Sequence, residues 1–168
     1  MTTRKHRDLK EALERRLAGA ERVVLLAVGS DLRGDDGAGC LAAELLSEHS
    51  PPRLAAIDGA TAPENLTGEI RELQPTHLVV VDAVEMGKRR GTIALVALAE
   101  LAGESASTHR LPLRLTLGFL AHELACDLLV IGIQPGSTVL GAAMSPEVAA
   151  AAEEVARLLR EILEPAAA

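Results

Sequence analysis

The residues of this chain best suited to chemistry are acidic, and they recur where apolar runs end. The run "VVLLAVGSDLRGDDGAG" passes into a glycine-punctuated loop carrying Asp31, Asp35 and Asp36, "RLAAID" ends on Asp58, and "THLVVVDA" closes with Asp82. A glycine-rich turn ahead of a helix ordinarily holds a phosphate on its backbone N–H groups. Carboxylates in that turn repel a phosphate, so this loop suits a cation. His109, in "SASTHRLPL", adds an imidazole. Two of these carboxylates and the imidazole, converging on one crevice, make an oxygen and nitrogen site for a divalent transition metal, with coordination positions left over. Asp36 falls in the predicted first turn of a helix, where the N-terminal dipole keeps a carboxylate ionised. Asp35, one residue earlier, points elsewhere and is a candidate for activating water.

Each residue also has a plainer role. An aspartate at a helix start caps more often than it ligates, Asp58 before Gly59 suits a turn, and a lone loop histidine is usually solvated. Their conjunction at three strand ends raises the metal reading. Cys40 and Cys126 have no adjacent base and read as small buried residues. His6, His49, His77 and His122 read as solvated. Lys88, Arg89 and Arg90 form a solvated turn or a contact for an acidic partner surface. Serine-elbow, HExxH and P-loop motifs are absent.

The elements that position these groups follow from length and pattern. At 168 residues the chain is expected to form a single core without disulfide or metal. The absence of Trp and Tyr removes stacking platforms for single-stranded nucleic acid. A formal charge of -7 disfavours nucleic acid and anionic membranes as partners. Two cysteines without a metal or disulfide pattern, and no signal-like or membrane-length apolar segment, point to the reducing cytoplasm.

Leu9, Leu13 and Leu17 recur among charges as one face of an amphipathic helix, read as an N-terminal helical extension over residues 1–21. Residues 22–168 then alternate strands and helices. Strands are predicted at 22–28, 53–58, 76–83, 92–97 and 127–133, and helices from Asp36 or Gly37 to Glu48, near 64–73, from Pro112 to Ala125, and from Pro146 to Leu163 with Ser145 as N-cap. Continuous aliphatic strands call for helices on both faces. The expected fold is therefore α/β, a three-layer α/β/α domain with a mostly parallel, about five-stranded twisted sheet. The hop from Ala83 to Thr92 is too short for a crossover helix, so the fourth strand is expected to run antiparallel. Ligands of such sheets lie beyond the carboxyl ends of the strands, where the aspartates fall.

Taken in order, "VGSDLRGDDGAG", "IDGATAPEN", "RELQPT", "VDAVEMG", "THRLPL" and "GIQP" resemble the nickel-iron hydrogenase maturation proteases, most closely the subgroup serving the formate-hydrogenlyase hydrogenase 3. The resemblance covers residues 22–163. It implies an endopeptidase that removes the C-terminal extension of a hydrogenase large-subunit precursor after nickel insertion. It places the catalytic and metal-site residues on Asp36, Asp82 and His109, and implies that nickel arrives within the precursor rather than as a resident cofactor. The chain offers no Ser or Cys nucleophile with a partner base, so metal-assisted attack is the expected reaction class. The precursor is the expected partner, and the protein is expected to be a monomer. Ser30 stands where the family commonly has Asn, with a shorter reach for a loop hydrogen bond.

Two rival readings use the same residues. A receiver-type signalling module also groups acids at these strand ends, but it requires a lysine after the last strand, where "IGIQPGS" has none. A nickel-binding chaperone without hydrolytic activity would use the same ligands.

Overall fold

The computed structural model describes residues 2–60, 63–102 and 110–165. Strands β1 (Val23–Ala27), β2 (Leu54–Asp58), β3 (His77–Ala83), β4 (Ile93–Val96) and β5 (Asp127–Ile133) form one sheet in the order β2-β1-β3-β5-β4. The first three strands and β5 run parallel, and β4 runs antiparallel to β5, as the short hop requires.

Alternate residues along the strands divide the core in two. Val23, Leu25, Val79, Val81 and Ile131 belong to the cluster shared with α1 (Thr2–Arg16), α2 (Ala38–Glu48) and α5 (Pro146–Leu163). Val24, Leu26, Leu78, Val80 and Val130 belong to the cluster shared with α3 (Thr67–Leu73) and α4 (Arg110–Leu124). Every residue of β3 is buried, which is why that segment reads as an unbroken apolar run. Three layers result. Helix α4 starts two residues before the predicted Pro112, which still leaves the proline in the first turn.

Helix α5 follows its predicted face, with Val148, Ala152, Val155 and Leu159 buried, and packs chiefly on α2. Its N-cap differs in one respect. Ser145 has the extended backbone of an N-cap, but its hydroxyl makes no capping bond and is used elsewhere. Helix α1 joins the same core cluster through Leu13 and Leu17. It is tied down further by an ion pair from Lys10 to Glu161 and by the Arg16 guanidinium donating to the Leu128 carbonyl.

The winding of the chain determines where a ligand can sit. From β1 the chain crosses through α2 to β2 on one side, then returns through α3 to β3 on the other. The crevice at the carboxyl ends of β1 and β3 is thus the topological switch point of the sheet.

Candidate functional site

The loop after β1 crosses this switch point. The Val28 amide donates to the Val81 carbonyl at 3.0 Å, prolonging the β1–β3 pairing to the residue before Asp82. Gly34–Gly37 forms a 3-10 turn, and α2 begins only at Ala38 with Gly37 as its N-cap. Asp36 therefore precedes the α-helix instead of lying in its first turn. The cause is the tighter turn, in which Gly34 has φ +55 and the Asp36 amide bonds back to the Arg33 carbonyl. The Asp36 carboxylate folds back over the loop and accepts the Ser30 amide through Oδ2 at 2.9 Å. Its Oδ1 takes no hydrogen bond among the described residues. Ser30 also keeps a loop bond, its hydroxyl accepting the Leu32 amide at 3.3 Å.

Two glycines make this arrangement possible. Gly29 has φ +122, and a Cβ there would lie 1.9 Å from the Asp36 carbonyl oxygen. A Cβ on Gly39 would lie 2.4 Å from the Val81 carbonyl oxygen, so α2 reaches the end of β3 only because that Cβ is missing. The Asp36 turn consequently lies against β3. Asp82, next to last in that strand, is 2% exposed. A carboxylate buried this deeply remains charged only against donors or a cation.

The structure thus sets the turn that carries Asp36, one predicted site residue, against the strand that holds a second, Asp82. His109 lies outside the described residues. Among the described residues, no group of three or more His, Cys, Asp or Glu side chains gathers as a metal site. Asp36 and Asp82 account for two acidic members of the predicted trio.

Asp35 has a different role from the one its position first indicates. It is 1% exposed, and its carboxylate accepts the Gly136 and Ser137 amides at 2.7 and 3.1 Å, the Ser145 amide at 2.7 Å and the Ser145 hydroxyl at 2.6 Å. Burial pushes its pKa up, but the Ser145 hydroxyl and the Ser145, Gly136 and Ser137 amides together outweigh it, so the group titrates below the usual aspartate range. A carboxylate so fully engaged is a poor base toward water. It clamps the loop between β5 and α5 onto the loop after β1.

The remaining sequence candidates resolve individually. Asp58 is the turn device, its Oδ1 accepting the Ala60 amide at 2.9 Å. Cys40 is half-buried beside it, and burial, followed by the charge of Asp58, pushes its thiol up to about 12. It remains a neutral thiol at physiological pH. A cleft of about 650 Å³ opens next to the Asp36 turn, lined in part by Asp31, Cys40, Glu44, Asp58 and Met144. His77 is not solvated as expected. It begins β3 and is buried, with Nδ1 at 3.0 Å from the Thr76 hydroxyl. Cys126 is buried as expected.

Gln134 is a positioning residue that sequence reasoning passed over. Buried just after β5, it accepts the Met86 and Lys88 amides through Oε1 and donates from Nε2 to Glu85 and the Pro135 carbonyl. It orders the loop that leaves Asp82 for β4. The only sequence signal was the "GIQP" block, whose Gln follows directly on an apolar strand. A receiver module needs a lysine in this segment, and a saturated amide takes its place.

Comparison with known proteins bears on the same residues. Residues 40–163 match the family model described as hydrogenase maturation protease, HycI, a span that includes Asp82 and His109 and begins just after the Asp36 turn. The hydrogenase 3 maturation protease of Escherichia coli K12 is 40% identical over 113 residues, 67% of this chain and 72% of that protein. The crystal structure of the nickel-iron hydrogenase maturation protease HycI from Thermococcus kodakarensis superposes with a TM-score of 0.83 at 36% identity, covering 90% of this chain and 98% of the other. The solution structure of the endopeptidase HycI from Escherichia coli gives 0.74 at 36% identity, covering 81% and 87%.

Proposed function

This chain belongs to the hydrogenase maturation protease family, and on that premise we propose that it cuts the C-terminal extension from a hydrogenase large-subunit precursor once nickel has been inserted. The observation that carries this reading is the placement of Asp36. Its carboxylate is half-buried and anchored by one amide, on a turn packed against the strand whose next-to-last residue is the buried Asp82. Two carboxylates at a switch point, with an imidazole as third member, form a donor set that nickel accepts and that leaves positions for the groups the precursor supplies.

Nickel in this reading is part of the substrate. It supplies Lewis acidity for amide hydrolysis when the loaded precursor is bound. Asp36 and Asp82 act by holding the metal-bearing end of the precursor at the switch point. His109 is assigned the third position on the family pattern. Nucleophilic catalysis by cysteine is disfavoured because the Cys40 thiol titrates near 12. The cleft beside the Asp36 turn offers a path for the polypeptide next to the scissile bond.

The test compares nickel-loaded and nickel-free precursor as substrates for the purified full chain. Shortening of the loaded form alone is expected. Equal shortening of both forms, or of neither, rejects the reading. Asp36→Ala, Asp82→Ala and His109→Ala should each abolish cleavage while the far-ultraviolet circular dichroism spectrum is retained.

A further inference from the structure

Strand β4 is the last in the sheet and is paired on one side only. The Gln134 amide donates to the Thr92 carbonyl at 2.9 Å, which sets the alternation along the antiparallel pair. Ala94 and Val96 direct their backbone groups to β5, and Ile93 and Leu95 direct theirs outward. Among the described residues, no hydrogen bond covers these outward groups. Helix α1 passes alongside and leaves a groove of about 570 Å³, with Leu9, Ile93 and Leu95 among its lining residues.

Lys5, Lys88 and Arg89 also line this groove, with Asp8 as the acidic side chain among them. Lys10, Arg90 and Arg157 each have a carboxylate partner, whereas Lys5, Lys88 and Arg89 have none among the described residues. In a chain of net charge -7 this is a local surplus of unpaired cations. The groove is also close to the site. Ala94 is in register with Gly132, and Gly132 with Asp82, two strand spacings or roughly 10 Å away.

We propose that this groove receives an extended, acidic segment of the precursor as an added strand on β4, with its carboxylates against Lys5, Lys88 and Arg89. The proposal rests on the processing function above for the identity of the partner. Backbone pairing along β4 supplies affinity, while the apolar floor and the cations supply selection. Basic residues on an open edge also deter pairing between copies of one chain, and the experiment separates the two roles.

The probe is a short synthetic peptide alternating valine and glutamate, with a valine and lysine peptide as control. Hydrogen exchange of the full chain, read by nuclear magnetic resonance, should slow at the Ile93 and Leu95 amides on adding the acidic peptide and stay unchanged at Ala94 and Val96. Lys88→Glu combined with Arg89→Glu should weaken peptide binding about tenfold and raise KM for the loaded precursor by a similar factor, with kcat retained. Unchanged exchange at Ile93 and Leu95, equal affinity for both peptides, or a wild-type KM in the double variant each overturns the proposal. If the wild type never cuts the precursor while the peptide response is intact, the processing reading fails and takes the identity of the occupant with it.

Discussion

Replacing Asp35 by Asn should destabilise the protein and leave its chemistry in place, the opposite of what replacing its neighbour should do. The native carboxylate accepts from the Gly136, Ser137 and Ser145 amides and the Ser145 hydroxyl. In the better of its two orientations, Asn uses its oxygen for the Gly136 and Ser137 amides, and the Ser145 hydroxyl turns to accept from its NH2 group. The Ser145 amide is then left facing another donor. An unpaired buried donor costs about 1–3 kcal/mol, and the two surviving bonds lose the extra strength of a charged acceptor. A total near 3 kcal/mol corresponds to a fall in Tm of roughly 6–12 °C for a domain of this size.

The pH dependence has a definite sign. Hydrogen bonding holds the folded-state pKa of Asp35 below its unfolded value. Its stabilisation is complete above an unfolded pKa of about 3.9 and is lost as pH falls through the folded value. The gap between wild type and Asp35→Asn should therefore narrow only under strong acid. Thermal unfolding followed by far-ultraviolet circular dichroism measures both effects, since without Trp or Tyr the chain offers little intrinsic fluorescence. A gap under about 0.5 kcal/mol at neutral pH, within the range of ordinary surface substitutions, would refute the clamp. Lost cleavage at unchanged Tm would return Asp35 to the role of catalytic helper.

Three further outcomes are expected. Cys40→Ser should keep full cleavage activity, and the wild-type thiol should resist iodoacetamide at mildly alkaline pH because it titrates near 12; rapid alkylation contradicts this. Leu13→Ala should cost about 2–5 kcal/mol in urea unfolding, as for a core leucine, whereas a helix that merely hangs from the domain would lose under about 0.5 kcal/mol. Gly39→Ala should lower both Tm and cleavage, because its methyl would collide with the Val81 carbonyl and lift the Asp36 turn from β3; wild-type activity in that variant would break the link between helix approach and site geometry.

What was legible in the sequence was whatever depends on near neighbours. Strand ends, the antiparallel fourth strand and the face of α5 follow from local periodicity, a short hop and the Ser145-Pro146 start. The division of labour between Asp35 and Asp36 was not legible. It depends on Gly136, 101 positions away, whose amide reaches Asp35 only in the folded chain. The same contact takes the Ser145 hydroxyl away from its expected capping role. Burial of His77 was hidden in the same way, because a histidine at a strand start has the same local pattern whether neighbouring strands cover it or not. The amphipathic face of α1 was visible, but its docking surface on α5 and β4 comes from elements far along the chain.

The clamp also has a consequence for recognition. Leu32, Val139 and Leu140 are each about two-thirds exposed, and the Gly141 amide bonds the Leu32 carbonyl at 2.8 Å, so these apolar side chains sit on two adjoining loops. Asp35 locks one loop to the other through a side chain buried between them. A partner that covers this apolar tip meets loops already held in place, and association avoids the entropic penalty of ordering them. A carboxylate that never touches substrate can thus act on affinity, through the preorganisation of the surface around Asp36.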